Sequence, residues 1–226
     1  LDPLQHLGAA ALFWFGIHAF ISGGNLRTAI AARIGEKGFR GFFSLLSAIG
    51  LAWLIYAYLG APEVPLWRTT TGARHLAMSV MLVAFVFLVL AFTTPNPGAV
   101  GQERLIERDP IGIQKVTRHP FLWAVVLWAT VHMLARGDVA AVYFFGSFLA
   151  TALVGTAQID AKRARARPEA AAAYAAKTSN LPFLALIQGR ARVSLKEIGY
   201  AKMAAGVAIY LVALYIHFGL LGPKTG

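Results

Sequence analysis

Apolar residues in this chain come in long uninterrupted blocks separated by short polar and basic stretches, rather than alternating along strands or following a single amphipathic stripe. Blocks at about residues 4–22, 40–60, 73–92, 120–136, 139–157 and 199–221 match the roughly 20 residues that a helix needs to cross a bilayer core. No run of about ten alternating residues marks an outer-membrane barrel, so helices are the spanning structure. The pattern predicts an all-α, polytopic transmembrane bundle of about six spans, forming one domain over residues 1–226. The fourth and fifth blocks are separated only by Arg136-Gly137-Asp138, which predicts a tight antiparallel helical hairpin. In the fifth block Ser147, Thr151 and Gly155 recur every four residues as a small-residue stripe suited to close helix packing.

Composition agrees with this reading. Of the 226 residues, 58% are hydrophobic and 14% charged, whereas about a quarter of a soluble domain is charged; the mean hydropathy is +0.61. The formal charge of +11 sits in the loops, which points to orientation in the membrane and to anionic lipid headgroups, and away from nucleic acid. Arg27, Arg33, Lys37 and Arg40 fill the first loop, Arg104, Arg108, Lys115 and Arg118 the third, and a basic interfacial segment over residues 160–198 the fifth. The opposite side carries only Arg68, Arg74, Arg136 and Lys224. By the positive-inside rule the basic loops face the cytoplasm and both termini the periplasm, as expected for a multi-pass protein of a bacterial inner membrane. Leu1, Asp2 and Pro3 give no basic start to a cleavable signal. Lys162 to Lys177, rich in Ala and Arg, has the propensity of a helix lying on the membrane surface. With no cysteine, the chain excludes thiolate zinc, iron-sulfur clusters and covalently attached haem, and leaves histidine and carboxylate as metal ligands.

Ionisable groups at membrane depth are costly, so they face the bundle interior and mark a ligand or a path. His6, His75 and His217 fall near the ends of blocks and read as interfacial histidines, although His217 shares a helical face with Gly206, Tyr210 and Ala213. His18 lies well inside the first block, with Ser22 and Asn25 continuing one polar stripe. His132 lies inside the fourth, one turn after Trp128 and near the small Ala124 and Ala129. At about 1.5 Å per residue the two histidines sit roughly 21 Å and 12 Å below the outer face, a difference of about 9 Å that suits two imidazoles approaching opposite faces of one tilted haem. A compact zinc site fits poorly, because no third or fourth ligand stands nearby. From the residues alone, a bis-histidine haem and a pair of buried packing histidines both remain open.

The most distinctive segment runs from Asp109 to Trp123. Pro120 suits the first turn of a helix and holds His119 out of helical conformation, so Arg118 and His119 are expected to project at the mouth of the fourth span. Arg118 is suited to a carboxylate or phosphate, such as a haem propionate; a topogenic cytoplasmic cap is the plainer reading.

Thr117-Arg118-His119-Pro120-Phe121-Leu122-Trp123, with His132 thirteen residues after His119, resembles the NnrU family, which includes zeta-carotene isomerase. Ile17-His18-Ala19 with Ser22 to Arg27, the Gly35-to-Arg40 loop and Thr178-Ser179-Asn180-Leu181-Pro182-Phe183 extend the resemblance over nearly the whole chain. The resemblance implies a b-type haem held by His18 and His132, with His119 as a catalytic residue and redox-dependent chemistry on a hydrophobic or gaseous ligand, such as cis-trans isomerisation of a polyene. It equally implies, as an alternative, a haem protein of nitric oxide and denitrification metabolism without isomerase activity. The Arg118-His119-Pro120 helix start also resembles isoprenylcysteine carboxyl methyltransferases, which bind S-adenosylmethionine there, but Gln158-Ile159-Asp160-Ala161-Lys162 stands where that family places paired glutamates. A non-catalytic membrane subunit is the remaining alternative.

Overall fold

The computed structural model describes residues 2–98 and 101–221; Lys224 lies outside them, and so does the side chain of Asn25. Among the described residues every regular element is helical, and the only pairing of extended chain is an isolated bridge between Pro65 and Asp138. In chain order the helices are α1 (Pro3–Gly16), a π turn (Ile17–Ile21), α2 (Gly24–Leu59), α3 (Thr71–Thr93), α4 (Ile113–Val116), α5 (Pro120–Arg136), α6 (Val139–Ala166), α7 (Pro168–Ala176), α8 (Leu184–Ile187), α9 (Leu195–Ile198) and α10 (Tyr200–Leu221), with a 3-10 turn at Glu103–Glu107.

Five of these are long and apolar enough to cross a membrane: Pro3–Ile21, Leu26–Leu59, Thr71–Thr93, Val139–Ala166 and Tyr200–Gly219. The expected fourth span, α5, is an apolar helix of 17 residues, at the lower end of the length that crosses a bilayer core. The chain is a multi-pass helical membrane protein.

Three boundaries differ from the sequence expectation. The second span was expected to begin near residue 40, yet helix starts at Gly24 and is broken internally at Gly35, whose φ of 74° and ψ of 164° only glycine adopts without cost. Continuous hydrogen bonding on both sides of the break extends the element into the basic loop. The fifth span runs past residue 157 to Ala166. The Lys162–Lys177 stretch is not one helix, because Pro168 lacks an N–H and pushes Arg167 out of helical conformation, to φ −150° and ψ 71°, so a new helix starts at Pro168.

The chain divides into two compact units. The first comprises Leu1–Ala77 and Trp128–Ala166. Its core is built from Leu7, Ala10 and Trp14 of α1, Leu54 and Ala57 of α2, Ala129 of α5, and Ala140, Ala141, Phe144 and Phe145 of α6. Alanines admit the helices closely and the aromatics fill what remains, the packing expected where lipid offers no hydrophobic drive between helices. The α5–α6 hairpin is as tight as the sequence predicts. Gly137 takes φ 70°, and its carbonyl accepts from the N–H groups of Leu66 and Trp67 at 2.8 and 3.1 Å. Asp138 caps α6 by accepting from the N–H of Ala141 at 2.7 Å and accepts from Arg136 Nε at 3.2 Å.

The second unit comprises Met78–Leu127 and Arg167–Gly226. Phe87, Leu90, Ile113, Val116 and Ala124 form its core. Gly206 of α10 lies so close to α3 that a Cβ there would stand 2.8 Å from Val86 Cα. Tyr210, on the same face, donates its hydroxyl to the Met78 carbonyl at 2.9 Å, while His217 is exposed. That face of α10 therefore packs against α3 at Gly206 and Tyr210, which is the physical reason for the small residue there.

Candidate functional site

His18 falls inside the π turn, where the backbone widens to i+5 hydrogen bonding, as the Ser22 N–H to Ile17 carbonyl bond of 3.2 Å shows. Such single-turn expansions concentrate at functional positions. The wider turn changes the expected polar stripe: the Ser22 hydroxyl donates back to the His18 carbonyl instead of pointing into a pocket.

His18 and His132, both half-buried, stand in the same local device. His18 Nδ1 lies 2.8 Å from the carbonyl oxygen of Trp14, and His132 Nδ1 lies 2.8 Å from the carbonyl oxygen of Trp128. A carbonyl only accepts, so Nδ1 carries the proton in both rings and the lone pair resides on Nε2. Metal-ligating histidines are commonly held in this way, with the second ring nitrogen donating to a backbone carbonyl.

The rings continue the relationship. His18 and Trp14 have centroids 4.1 Å apart, Trp14 and Phe148 5.0 Å, Phe148 and Trp128 5.2 Å, and Trp128 and His132 5.4 Å. Phe43 of α2 meets the His18 ring edge-on at 5.4 Å, and Phe145 stacks on His132 at 4.9 Å. The structure thus gathers both histidines into one unit, joined by aromatic rings from α1, α5 and α6. Trp14, Phe43, Phe145 and Phe148 were not singled out from the sequence, although the repeat Trp14-x3-His18 and Trp128-x3-His132 is visible there.

These residues fit a b-type haem on three observations. The donor set is two imidazoles with their lone pairs on Nε2, the rings in contact with them are aromatic, and the indole Nε1 of Trp14 is a buried donor with no hydrogen-bond partner. No group of three or more His, Cys, Asp or Glu capable of holding a bare metal ion occurs among the described residues. A zinc site of ordinary composition is therefore not built here.

His6 is differently placed. Its Nε2 accepts from the indole N–H of Trp53 at 2.7 Å, so that nitrogen is occupied within α1 and α2. His75 is exposed.

Arg118 and His119 belong to the second unit. His119 is non-helical, as expected ahead of Pro120, but it does not project: only 4% of its surface is exposed. The reason lies in the segment packed against it. Thr117 donates its hydroxyl to the Asn180 carbonyl at 2.7 Å, the Arg118 N–H donates to the Ser179 carbonyl at 3.0 Å, and the Trp123 indole donates to Asn180 Oδ1 at 3.1 Å. Phe183 N–H closes the pairing on the Val116 carbonyl at 2.8 Å. Thr117–Trp123 and Thr178–Phe183, separate in sequence, are thus one hydrogen-bonded knot. Tyr174 extends it by donating to Gln114 Oε1 at 2.9 Å, and Arg190 spans the α7 C-terminus by donating to the carbonyls of Ala175, Ala176 and Thr178.

Outside the spans, Glu197 accepts from the Gly112 N–H at 3.0 Å and pairs with Lys115 Nζ at 2.7 Å. Burial works against its charge, but the Lys115 ammonium and the Gly112 N–H outweigh it and hold the carboxyl below its ordinary value.

The chain is 27% identical over 177 residues to a chloroplastic 15-cis-zeta-carotene isomerase of Zea mays, covering 75% of this chain and 47% of that protein. It is 27% identical over 191 residues to the corresponding protein of Arabidopsis thaliana, covering 80% and 51%. The chain spans about half the length of these curated relatives. No solved structure matches. The family described as NnrU protein matches residues 6–225, which include both Trp-x3-His units and the Thr117–Trp123 segment, and the chain belongs to that family.

Proposed function

We propose that the chain is a b-type haem protein of the membrane that isomerises a double bond of a carotenoid-like polyene. The observation that carries this reading is the twin arrangement of His18 and His132, each locked by a tryptophan carbonyl with its lone pair on Nε2. The similarity to two zeta-carotene isomerases supports the choice of polyene.

In this reading His18 and His132 would hold the haem. When bound, the haem would supply redox-dependent metal chemistry. The protein does the rest. Trp14 and Trp128 fix both imidazole rings through their carbonyl groups, so neither ring rotates to present the wrong nitrogen. Phe148, in contact with both indoles, couples the two settings. The aromatic lining excludes water and offers a long apolar substrate a surface without hydrogen-bond demands. The π turn gives His18 a backbone able to shift by one hydrogen-bond register, whereas His132 sits on a regular helix.

Purified full chain in detergent, reconstituted with haemin and reduced by dithionite, should show a low-spin b-type spectrum at one haem per chain. In liposomes the reduced form should convert a 15-cis polyene to its trans isomer. His18→Ala and His132→Ala variants that stay folded with unchanged haem content and spectrum would remove the assignment of these two residues to the haem. A loaded protein that binds nitric oxide but leaves the polyene unchanged would replace isomerisation by the nitric oxide reading.

A further inference from the structure

Polar side chains inside spanning helices almost always return their hydrogen bond to the preceding turn. Thr93 donates to the Val89 carbonyl at 2.7 Å, Ser147 to that of Phe144 at 2.7 Å and Thr156 to that of Leu153 at 2.8 Å. The indoles of Trp53, Trp67 and Trp123 likewise each have an acceptor. Against this background, Trp14 Nε1, Ser47 Oγ and Thr151 Oγ1 are buried atoms of the first unit without a hydrogen-bond partner, whereas the buried guanidinium of Arg163 pairs with Asp160 at 3.8 Å. Trp14 is 8% exposed, so its N–H is lost to water as well.

The three come from three helices and face the same stretch of chain. Trp14 lies in α1, in ring contact with His18. On α2, Phe43 touches His18, and a Cβ at Gly50 would meet Phe13 and Ile17 at 3.1 and 3.3 Å. Ser47, four residues after Phe43 and three before Gly50, shares their face. On α6, Phe148 touches Trp14, and Gln158 donates to the Ala19 carbonyl at 2.6 Å. Thr151, three residues after Phe148 and seven before Gln158, shares theirs. Leaving one such donor unsatisfied in an apolar interior costs about 1–3 kcal/mol; three on faces that meet the segment from Phe13 to Ala19 indicate an acceptor that belongs there.

We propose that Trp14 Nε1, Ser47 Oγ and Thr151 Oγ1 form a receptor for an anionic oxygen on the ligand held at His18. The inference rests on the haem reading and narrows it, because a hydrocarbon polyene has no such atom. The oxygen comes either from a carboxylate of the macrocycle or from a small anion on its iron, and both share the same chemistry. Trp14 is here a positioning residue twice over, orienting His18 through its carbonyl and the ligand through its indole.

The test uses full-length chain in detergent carrying Trp14→Phe, Ser47→Ala or Thr151→Val, the last nearly isosteric with the natural side chain. Haemin affinity, haemin dimethyl ester affinity and azide affinity of the loaded protein are measured alongside the thermal midpoint without haem. If a macrocycle carboxylate is the acceptor, Trp14→Phe and Thr151→Val should each weaken haemin uptake roughly tenfold while leaving the dimethyl ester nearly unaffected. If an iron-bound anion is the acceptor, haemin uptake holds and azide binding falls by a similar factor. In either case Ser47→Ala and Thr151→Val should leave the haem-free midpoint level or raised, because each removes a hydroxyl that has no partner there. Unchanged haemin and azide affinities in all three variants would overturn the proposal, and so would a haem-free midpoint that drops in both Ser47→Ala and Thr151→Val. Wild-type chain that takes up no haem would instead bring down the haem reading itself, and the receptor with it.

Discussion

The indole N–H of Trp53 points at Nε2 of His6 at 2.7 Å, whereas His18 and His132 each hold Nδ1 2.8 Å from a backbone carbonyl. Three histidines of one unit thus divide into two that lend Nδ1–H to a backbone carbonyl and one whose Nε2 is spent on a tryptophan. His6→Phe should therefore leave haemin stoichiometry and the low-spin spectrum intact. It should cost about 1 kcal/mol in chemical unfolding, from the lost hydrogen bond.

Phe148 meets both Trp14 and Trp128. Phe148→Ala is expected to loosen both histidine settings at once, lowering stability by about 2 kcal/mol, less than for a fully buried phenylalanine because the ring is only half-buried. The reduced haem spectrum should broaden or turn partly high-spin, whereas Phe144→Leu, one turn away in the same core, should reduce stability without that spectral change.

Gly137 carries the α5–α6 hairpin. At φ 70°, an added Cβ would stand 2.6 Å from the Trp67 carbonyl oxygen. Gly137→Ala is expected to lower stability by about 3 kcal/mol through backbone strain and this clash together, read as a drop in the unfolding midpoint of the purified protein.

Glu197 gives a pH signature. Its folded carboxyl titrates below the ordinary value near 4.3, so the stabilisation from Lys115 and the Gly112 N–H is fully present above that value and is lost as pH falls through the lower, folded one. Exposure of the pair limits the effect to under about 1 kcal/mol. Glu197→Gln should flatten the acid side of the stability profile below about pH 5 and leave the neutral side with a small uniform loss.

Long apolar runs made the spans and the Arg136-Gly137-Asp138 hairpin legible, because a bilayer imposes length and satisfied backbone on any segment that crosses it. His18 and His132 stood out as candidates for a related reason, their cost at depth. What surrounds them was not. Trp14 and Phe148 look like ordinary apolar residues in sequence, and Ser47 and Thr151 like ordinary helix-packing residues; only the hydrogen bonds they lack set them apart. His119 illustrates the opposite failure. Pro120 correctly announced a non-helical His119, but the partner that buries the segment, Asn180 and its neighbours, lies some sixty residues downstream and leaves no local signal. The expected polar stripe beyond His18 failed because a helical wheel assumes 3.6 residues per turn and the chain there follows a wider one.

Gly35 has an effect on scale. As one straight rod, the helix from Leu26 to Leu59 would reach about 51 Å at 1.5 Å per residue, far beyond a hydrocarbon layer of about 30 Å. Breaking it at Gly35 leaves a segment from Glu36 to Leu59 of about 36 Å, which a modest tilt accommodates, and detaches the Gly24–Ile34 piece from that requirement. One glycine thus relieves a hydrophobic mismatch, and it leaves the chain matched to a bilayer of ordinary thickness.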